Sequence, residues 1–315
     1  MNDVTGSANW ERATLEKLVF ATLKEQRAAR QWRQFTRLLW VFLIGGVLWL
    51  AYKGQSGAGA QTTPHTAVIE IRGEIASGGE ASADKVLSAL KSAFEDSGAQ
   101  AVVLLIDSPG GSPVQAGIIN DEITRLKAVH KKKVYAVVEE TCASAAYYIA
   151  SAADNIYVDK ASLVGSIGVL MDGFGFTGLM DKLGIERRLM TAGANKAMMD
   201  PFSAQNPEQT AYIQKMLGEI HAQFIAVVKR GRGQRLKETP DMFSGLVWNG
   251  QQAVDLGLAD GLGSLDYVAR EIVKAEDVVD YTLRENLGSR LARQFGASVG
   301  EGFYVAARAS GFQFK

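Results

Sequence analysis

The chain of 315 residues has a single cysteine, Cys142, so no internal disulfide can form and cysteine pairing says nothing of its compartment. Its three histidines, His65, His130 and His221, are far apart and lack companions at helical or C-x-x-C spacing, which leaves no metal-ligand pattern. They read as surface or packing residues. No charge of either sign is in excess, since 34 Lys and Arg balance 34 Asp and Glu. Without a clustered basic footprint, nucleic acid drops out as a partner. Long apolar runs are also scarce, and the one at 38–52 (LLWVFLIGGVLWLAY) has fifteen residues. Glycine is present in some excess, with 33 residues, many at the ends of strand-like segments where backbone shape matters.

The apolar run is bracketed by Arg37 and Lys53 and is short of the roughly 20 residues of a full span. Flanking Arg and Lys side chains can snorkel, and Gln31, Trp32 and Thr36 suit a headgroup zone. A buried core helix fits less well, because the run is apolar on all faces and a glycine-rich spacer follows. The expectation is one N-terminal transmembrane helix. Arg27, Arg30, Arg33 and Arg37 precede it without an acid, which orients the N-terminus to the cytoplasm and the large domain away from it. Ala58-Gly59-Ala60 offers a signal-peptide cleavage site as the alternative, but the long arm before the run favours an uncleaved signal anchor. The resulting division is a basic arm at 1–37, an anchor at 38–52, a flexible tether at 53–65, a catalytic domain at 66–280 and an extension at 281–315.

Within the domain, 67–71 reads as a short strand. Val86, Leu90 and Phe94, spaced by four, mark one face of a helix over 83–95. The near-continuous apolar run 101–106 suits a strand covered on both faces. A helix is expected to about His130, then a strand at 134–138, a tightly packed helix over the small-residue stretch 141–153, and a strand at 155–158. A glycine-punctuated connection at 161–169 precedes a short helix near 176–183 and a strand at 185–190. A loop at 191–206 and a long helix from about Pro207 to Lys229 follow, and 286–308 is a weaker helix candidate. Strands alternating with helices argue for a mostly parallel α/β layering.

The chemistry concentrates in EETCASAAYYI, 139–149. Ser144 follows a strand and sits among small residues, at a strand-to-helix transition where first-turn amides lack intrahelical acceptors and the helix field favours an oxyanion. The turn after 101–106 adds Gly110 and Gly111, whose unshielded N–H groups can form an oxyanion hole, with Ala145 as a further donor. Taken alone, a serine such as Ser144 in a small-residue run is most often helix-packing filler, and a Pro-Gly-Gly sequence is usually a plain turn. A hydroxyl needs a base. Lys196, in the loop AGANKAMM at 192–199, can serve if desolvated, or can be a solvent-exposed lysine. Ser166, in GSIG, is a candidate orienting hydroxyl. Cys142 is a rival nucleophile that reads better as a small buried apolar residue.

At these residues the sequence resembles the signal peptide peptidase A family of bacterial Ser-Lys proteases, peptidase family S49. The resemblance spans about 66–275. It is carried in order by Asp107-Ser108-Pro109-Gly110-Gly111, Ala143-Ser144 with Tyr147-Tyr148-Ile149, 162–169, 191–199 and 247–260. It implies a crotonase/Clp-protease-like spiral α/β fold, with Ser144 as nucleophile, Lys196 as general base, Ser166 beside the lysine and an oxyanion donor in the Gly110-Gly111 turn. It implies no metal or organic cofactor. Peptides such as cleaved signal peptides or membrane-derived fragments are the implied substrates, with membrane lipid as a partner. The implied location is the bacterial inner membrane, with the catalytic domain on the extracytoplasmic side. The length matches the short form, one catalytic domain per chain, whose members form ring-like or dome-like homo-oligomers that in some cases share a dyad between subunits. Two departures stand out. Family members usually follow the nucleophile with two glycines, where this chain has Ala145-Ala146, and Glu139-Glu140 before it is unusual. The competing readings are an inactive scaffold of the same fold, an acyl-CoA enzyme of that fold, and a peptidase for membrane-protein fragments.

Overall fold

β1 (His65–Arg72), β2 (Ala99–Ser108) and β3 (Lys133–Ala143) lie side by side and parallel as the spine of an eight-stranded sheet. The computed structural model describes residues 63–284 without a break and, before them, 24, 26–27, 30–46 and 49. The strand order is β6 (Val247–Asn249), β5 (Leu163–Gly165), β3, β2, β1 and β8 (Val278–Asp280), while β4 (Asn155–Val158) branches from β3 and pairs in turn with β7 (Gly261–Leu262). Among the described residues only β5 and β6 pair antiparallel. The expected mostly parallel α/β sheet is therefore what forms.

Alternation along β2 decides the layers. Val102, Leu104 and Ile106 face one side, where α1 (Ala83–Glu95) and α2 (Pro113–His130) cover them. Val103 and Leu105 face the other, against Val68, Val137 and Val268. Burial on both faces is what a near-continuous apolar run requires. Val86, Leu90 and Phe94 are all buried, as their spacing predicts.

β3 forks. Its first half pairs with β4 (Asn155–Val158), and Thr141–Ala143 pair with β5. Against β2 the register slips, so that Ile106 faces Val138 but Ser108 faces Cys142. This bulge carries Glu139-Glu140. The stretch 141–153 consequently does not form one helix. Thr141–Ala143 complete the strand and only α3 (Ala145–Ala150) is helical. The amides of 141–143 find a strand partner from a segment well downstream, which local periodicity cannot announce.

α4 (Thr177–Leu183) has no buried residue. The strand expected at 185–190 does not form; these residues are exposed and no strand edge of the same chain receives their hydrogen bonds. α5 (Pro207–Arg232) is the long helix, begun by an Asn206 side chain that accepts from Glu208 N and Gln209 N. At its end, fully buried Arg232 grips both oxygens of Asp260 at 2.8 and 2.9 Å. α6 (Gly250–Asp255) opens with a capping box from Asn249 and Gln252. The helix candidate at 286–308 lies outside the described residues.

The transmembrane expectation is corrected. Residues 30–46 are helical, yet among the described residues no helix is long and apolar enough to cross a membrane. The physical reason is length: fifteen apolar residues rise about 22 Å as a helix, against a hydrocarbon core of about 30 Å. Residues 47–48 and 50–52 of the run lie outside the description. The signal anchor at 38–52, the lipid partner, the single-pass topology and the inner-membrane location drawn from it fall together. So does the membrane-anchored form of the function.

Candidate active site

Ser144 sits where β3 ends and α3 begins, at φ 53° and ψ −123°. Positive φ at a non-glycine residue costs on the order of 1–3 kcal/mol and persists only where the surroundings impose it. Here the Ser144 amide donates to Gly165 O at 2.8 Å, and Tyr148 N returns a bond to Ser144 O at 3.0 Å. The bulge upstream is fixed by Asp107, whose Oδ1 accepts from Thr141 N at 3.2 Å. Arg72 Nη2 meets Glu139 Oε2 at 2.6 Å, close for charge pairing though outside hydrogen-bond alignment. Ala145 and Ala146, which follow the serine, are both buried.

The Gly110-Gly111 turn lies directly against this corner. A β-carbon on Gly110 would sit 2.7 Å from Ser144 Cβ and 2.8 Å from Ala143 O, and one on Gly111 would overlap the Ile75 carbonyl. Both glycines have positive φ, 108° and 143°. Ile75 pins the turn, donating to Gly110 O and accepting from Ser112 N, each at 2.8 Å. Gly110 N is already engaged by Ser108 Oγ at 3.2 Å. Among the described residues, the amides of Gly111 and Ala145 have no acceptor, and the amide of Ser144 itself is taken by Gly165. Of the glycine turn and the first residue of α3, the uncommitted donors are therefore Gly111 and Ala145 rather than Gly110.

Ser166 is brought to the same corner. It follows Gly165, stands at φ 51°, and donates its amide to Leu246 O at 2.7 Å. Lys196 is not brought there. It is exposed in a turn whose backbone bond runs from Lys196 N to Gly193 O, and its ammonium makes no hydrogen bond or ion pair among the described residues. α5 touches both loops: Gln209 Nε2 donates to Asn195 Oδ1 at 3.1 Å, and His221 Nε2 donates to Ile167 O at 3.0 Å. Those two contacts are about 18 Å apart along the helix axis, at about 1.5 Å per residue. Among the described residues no hydrogen bond joins the lysine loop directly to the serine corner; each is bonded to α5 at a different level. The segment 170–190, which precedes the lysine loop, exposes Leu170, Phe174 and Met190.

Cys142 is fully buried, and burial pushes its thiol well above the usual range, which disfavours the reactive thiolate. Three contributors escaped the sequence reading. Asp107 and Ser108 were legible only as parts of a motif, because their acceptors' roles depend on where β3 and the glycine turn fold. His221 carried no local signal at all.

A model of peptidase family S49 matches residues 127–279. The chain is 33% identical over 214 residues to a putative protease of Methanocaldococcus jannaschii, covering 66% of this chain and 68% of that protein. It is 29% identical over 225 residues to a putative signal peptide peptidase SppA of Enterococcus faecium, covering 69% and 65%. It is also 45% identical over 203 residues to a protein of Brucella melitensis named Na(+)/H(+) antiporter NhaA; the match takes 63% of this chain and spans only 28% of that protein's length. The family match takes in Ser144, Ser166 and Lys196, and with a relative 33% identical and covered over 68% of its length, the chain belongs to peptidase family S49.

Proposed function

We propose that the chain is a serine endopeptidase in which Ser144 is the nucleophile and Lys196 the general base, with Lys196 supplied by a neighbouring copy of the chain. The observation that carries this reading is the Ser144 corner itself: a hydroxyl on a strained strand-to-helix turn, flanked by the free amides of Gly111 and Ala145. Lys196 takes the proton of Ser144 Oγ as that oxygen attacks a peptide carbonyl carbon. The carbonyl oxygen, now negative, is met by the two amides, a type of stabilisation worth about 3–4 kcal/mol per donor. The protonated lysine gives its proton to the leaving amine as the C–N bond breaks. Water then adds to the acyl-serine ester and releases the acid. Ser166 Oγ orients the lysine.

A lysine is a base only when neutral, and desolvation favours that form. In the single chain Lys196 is exposed and has no hydrogen bond to the serine corner, so its role needs cover and approach from outside the chain. The exposed apolar segment that precedes its loop, including Leu170, Phe174 and Met190, supports such an assembly. The substrate is an extended peptide bound through its main chain.

The test is hydrolysis of a quenched fluorogenic peptide of small apolar residues by the full chain, beside Ser144→Ala and Lys196→Ala. The parent should cleave and both variants should be silent. Mixed assemblies of the two dead variants should regain activity, because some interfaces then combine an intact serine with an intact lysine. Mixed assemblies that stay silent would place the dyad within one chain. Silence of the parent, with assembly verified by sizing, would favour the inactive scaffold.

A further inference from the structure

The segment 163–168 steadies the nucleophile from the side opposite the glycine turn. Gly165 O accepts the Ser144 amide at 2.8 Å, and Ser166, at φ 51°, donates to Leu246 O at 2.7 Å. Both bonds are between backbone groups. A single side chain among the described residues hydrogen-bonds this segment: His221 Nε2, reaching from the middle of α5 to Ile167 O at 3.0 Å. A carbonyl oxygen can only accept, so Nε2 carries a hydrogen in this contact.

We propose that His221 is a positioning residue for peptide hydrolysis. Its Nε2–H fixes the Ile167 carbonyl and so keeps Ser166 at positive φ and the Gly165 carbonyl on the Ser144 amide. This rests on the reading of Ser144 as nucleophile. The physical case is the strain next door. A non-glycine residue at φ 51° relaxes toward negative φ unless the peptide units on both sides are restrained. On the N-terminal side Ser166 is restrained by β5 and by Ser144. On the C-terminal side the fully buried Ile167 side chain anchors the Ile167 Cα, and the His221 bond fixes the next peptide plane, Ile167–Gly168, so that the far end of the Ser166–Ile167 peptide unit is held as well. Relaxation of Ser166 would turn the Gly165 carbonyl, release the Ser144 amide and move Oγ away from the Gly111 and Ala145 donors. The half-buried ring of His221 argues for the bond over a packing role. The contact also ties the serine corner to α5, the helix whose first turn holds the Lys196 loop through Gln209 and Asn195.

The experiment compares the full chain with His221→Ala, His221→Gln and Ser144→Ala, reading kcat and KM on the quenched peptide and hydrogen exchange at the Ser166 amide. Glutamine keeps an N–H donor at similar reach. His221→Ala should lower kcat about tenfold or more with KM unchanged, as small misplacements of a nucleophile do, and should speed Ser166 exchange. His221→Gln should restore most of both. Parental kcat and exchange in His221→Ala would overturn the proposal. So would His221→Gln being as impaired as His221→Ala, which would mark a packing role. If the parent does not cleave, or Ser144→Ala does, the nucleophile reading has failed instead, and the exchange rate alone then decides whether His221 restrains the loop.

Discussion

Gly110 stands so close to Ser144 that a β-carbon on it would lie 2.7 Å from the serine Cβ and 3.0 Å from the Ala145 nitrogen. Contacts under 3.0 Å force one side to move, and here both sides are backbone-anchored. Gly110→Ala should therefore cost peptide cleavage on the order of a hundredfold, since a displacement of about 1 Å has that effect. The chain should still fold, because β2 and α2 on either side are secured by other contacts. Steady-state kinetics with a circular dichroism melt would check this; parental kcat in Gly110→Ala would contradict the geometry.

Ala145 occupies the first position of α3, with its amide uncommitted. Ala145→Gly keeps that amide and removes only a buried methyl. Stability should fall by about 1 kcal/mol, from helix propensity, while kcat is retained. A denaturant melt beside the peptide assay reads both. A large drop in kcat would mean that the methyl, and not the amide, matters at this position.

Cys142 has no exposed surface, and burial raises its thiol pKa. Native protein should resist iodoacetamide at neutral pH and label fully once unfolded in guanidinium. Cys142→Ala should leave cleavage intact. Labelling that inactivates the native enzyme would reopen the cysteine as a participant.

Asp260 and Asp154 tie the far side of the domain together. Burial alone would raise each carboxyl. At Asp260 it is outweighed by Arg232, the Ile156 amide and Arg235, and at Asp154 by the Val134 amide, Lys127 and Lys133, so both lie below the usual value. Depressed folded-state pKa values mean that this stabilisation is complete above the ordinary aspartate value of about 3.9 and is lost as pH falls through the lower folded values. Melting temperature should hold from neutrality down to that value and drop steeply below it. Asp260→Ala should cost about 3–5 kcal/mol at neutral pH, because it strands the guanidinium of Arg232, whose side chain is 0% exposed. A near-parental melt in that variant would show that Arg232 finds other partners.

The sequence by itself determined the layering. Val86, Leu90 and Phe94 named the buried face of α1, and the run 101–106 named a strand covered on both sides, because periodicity reports which face leaves water. It also named the serine and the glycine turn that the structure sets against each other, since small residues after a strand are what such a close approach demands. The apolar run at 38–52 misled, because composition announces hydrophobicity without guaranteeing enough length to span a bilayer. Only the tertiary structure decided the rest. The fork and bulge of β3 put Ser144 at positive φ, and these depend on hydrogen bonds to β2 and β5. Gly111 displaced Gly110 as the free amide because Ser108 Oγ folds back on the latter. Lys196 is left exposed with no partner among the described residues, and His221 reaches Ile167, because α5 meets the two loops at different levels. Local pattern encodes burial, which each residue carries alone, whereas register, amide occupancy and separation exist only between segments that folding brings together.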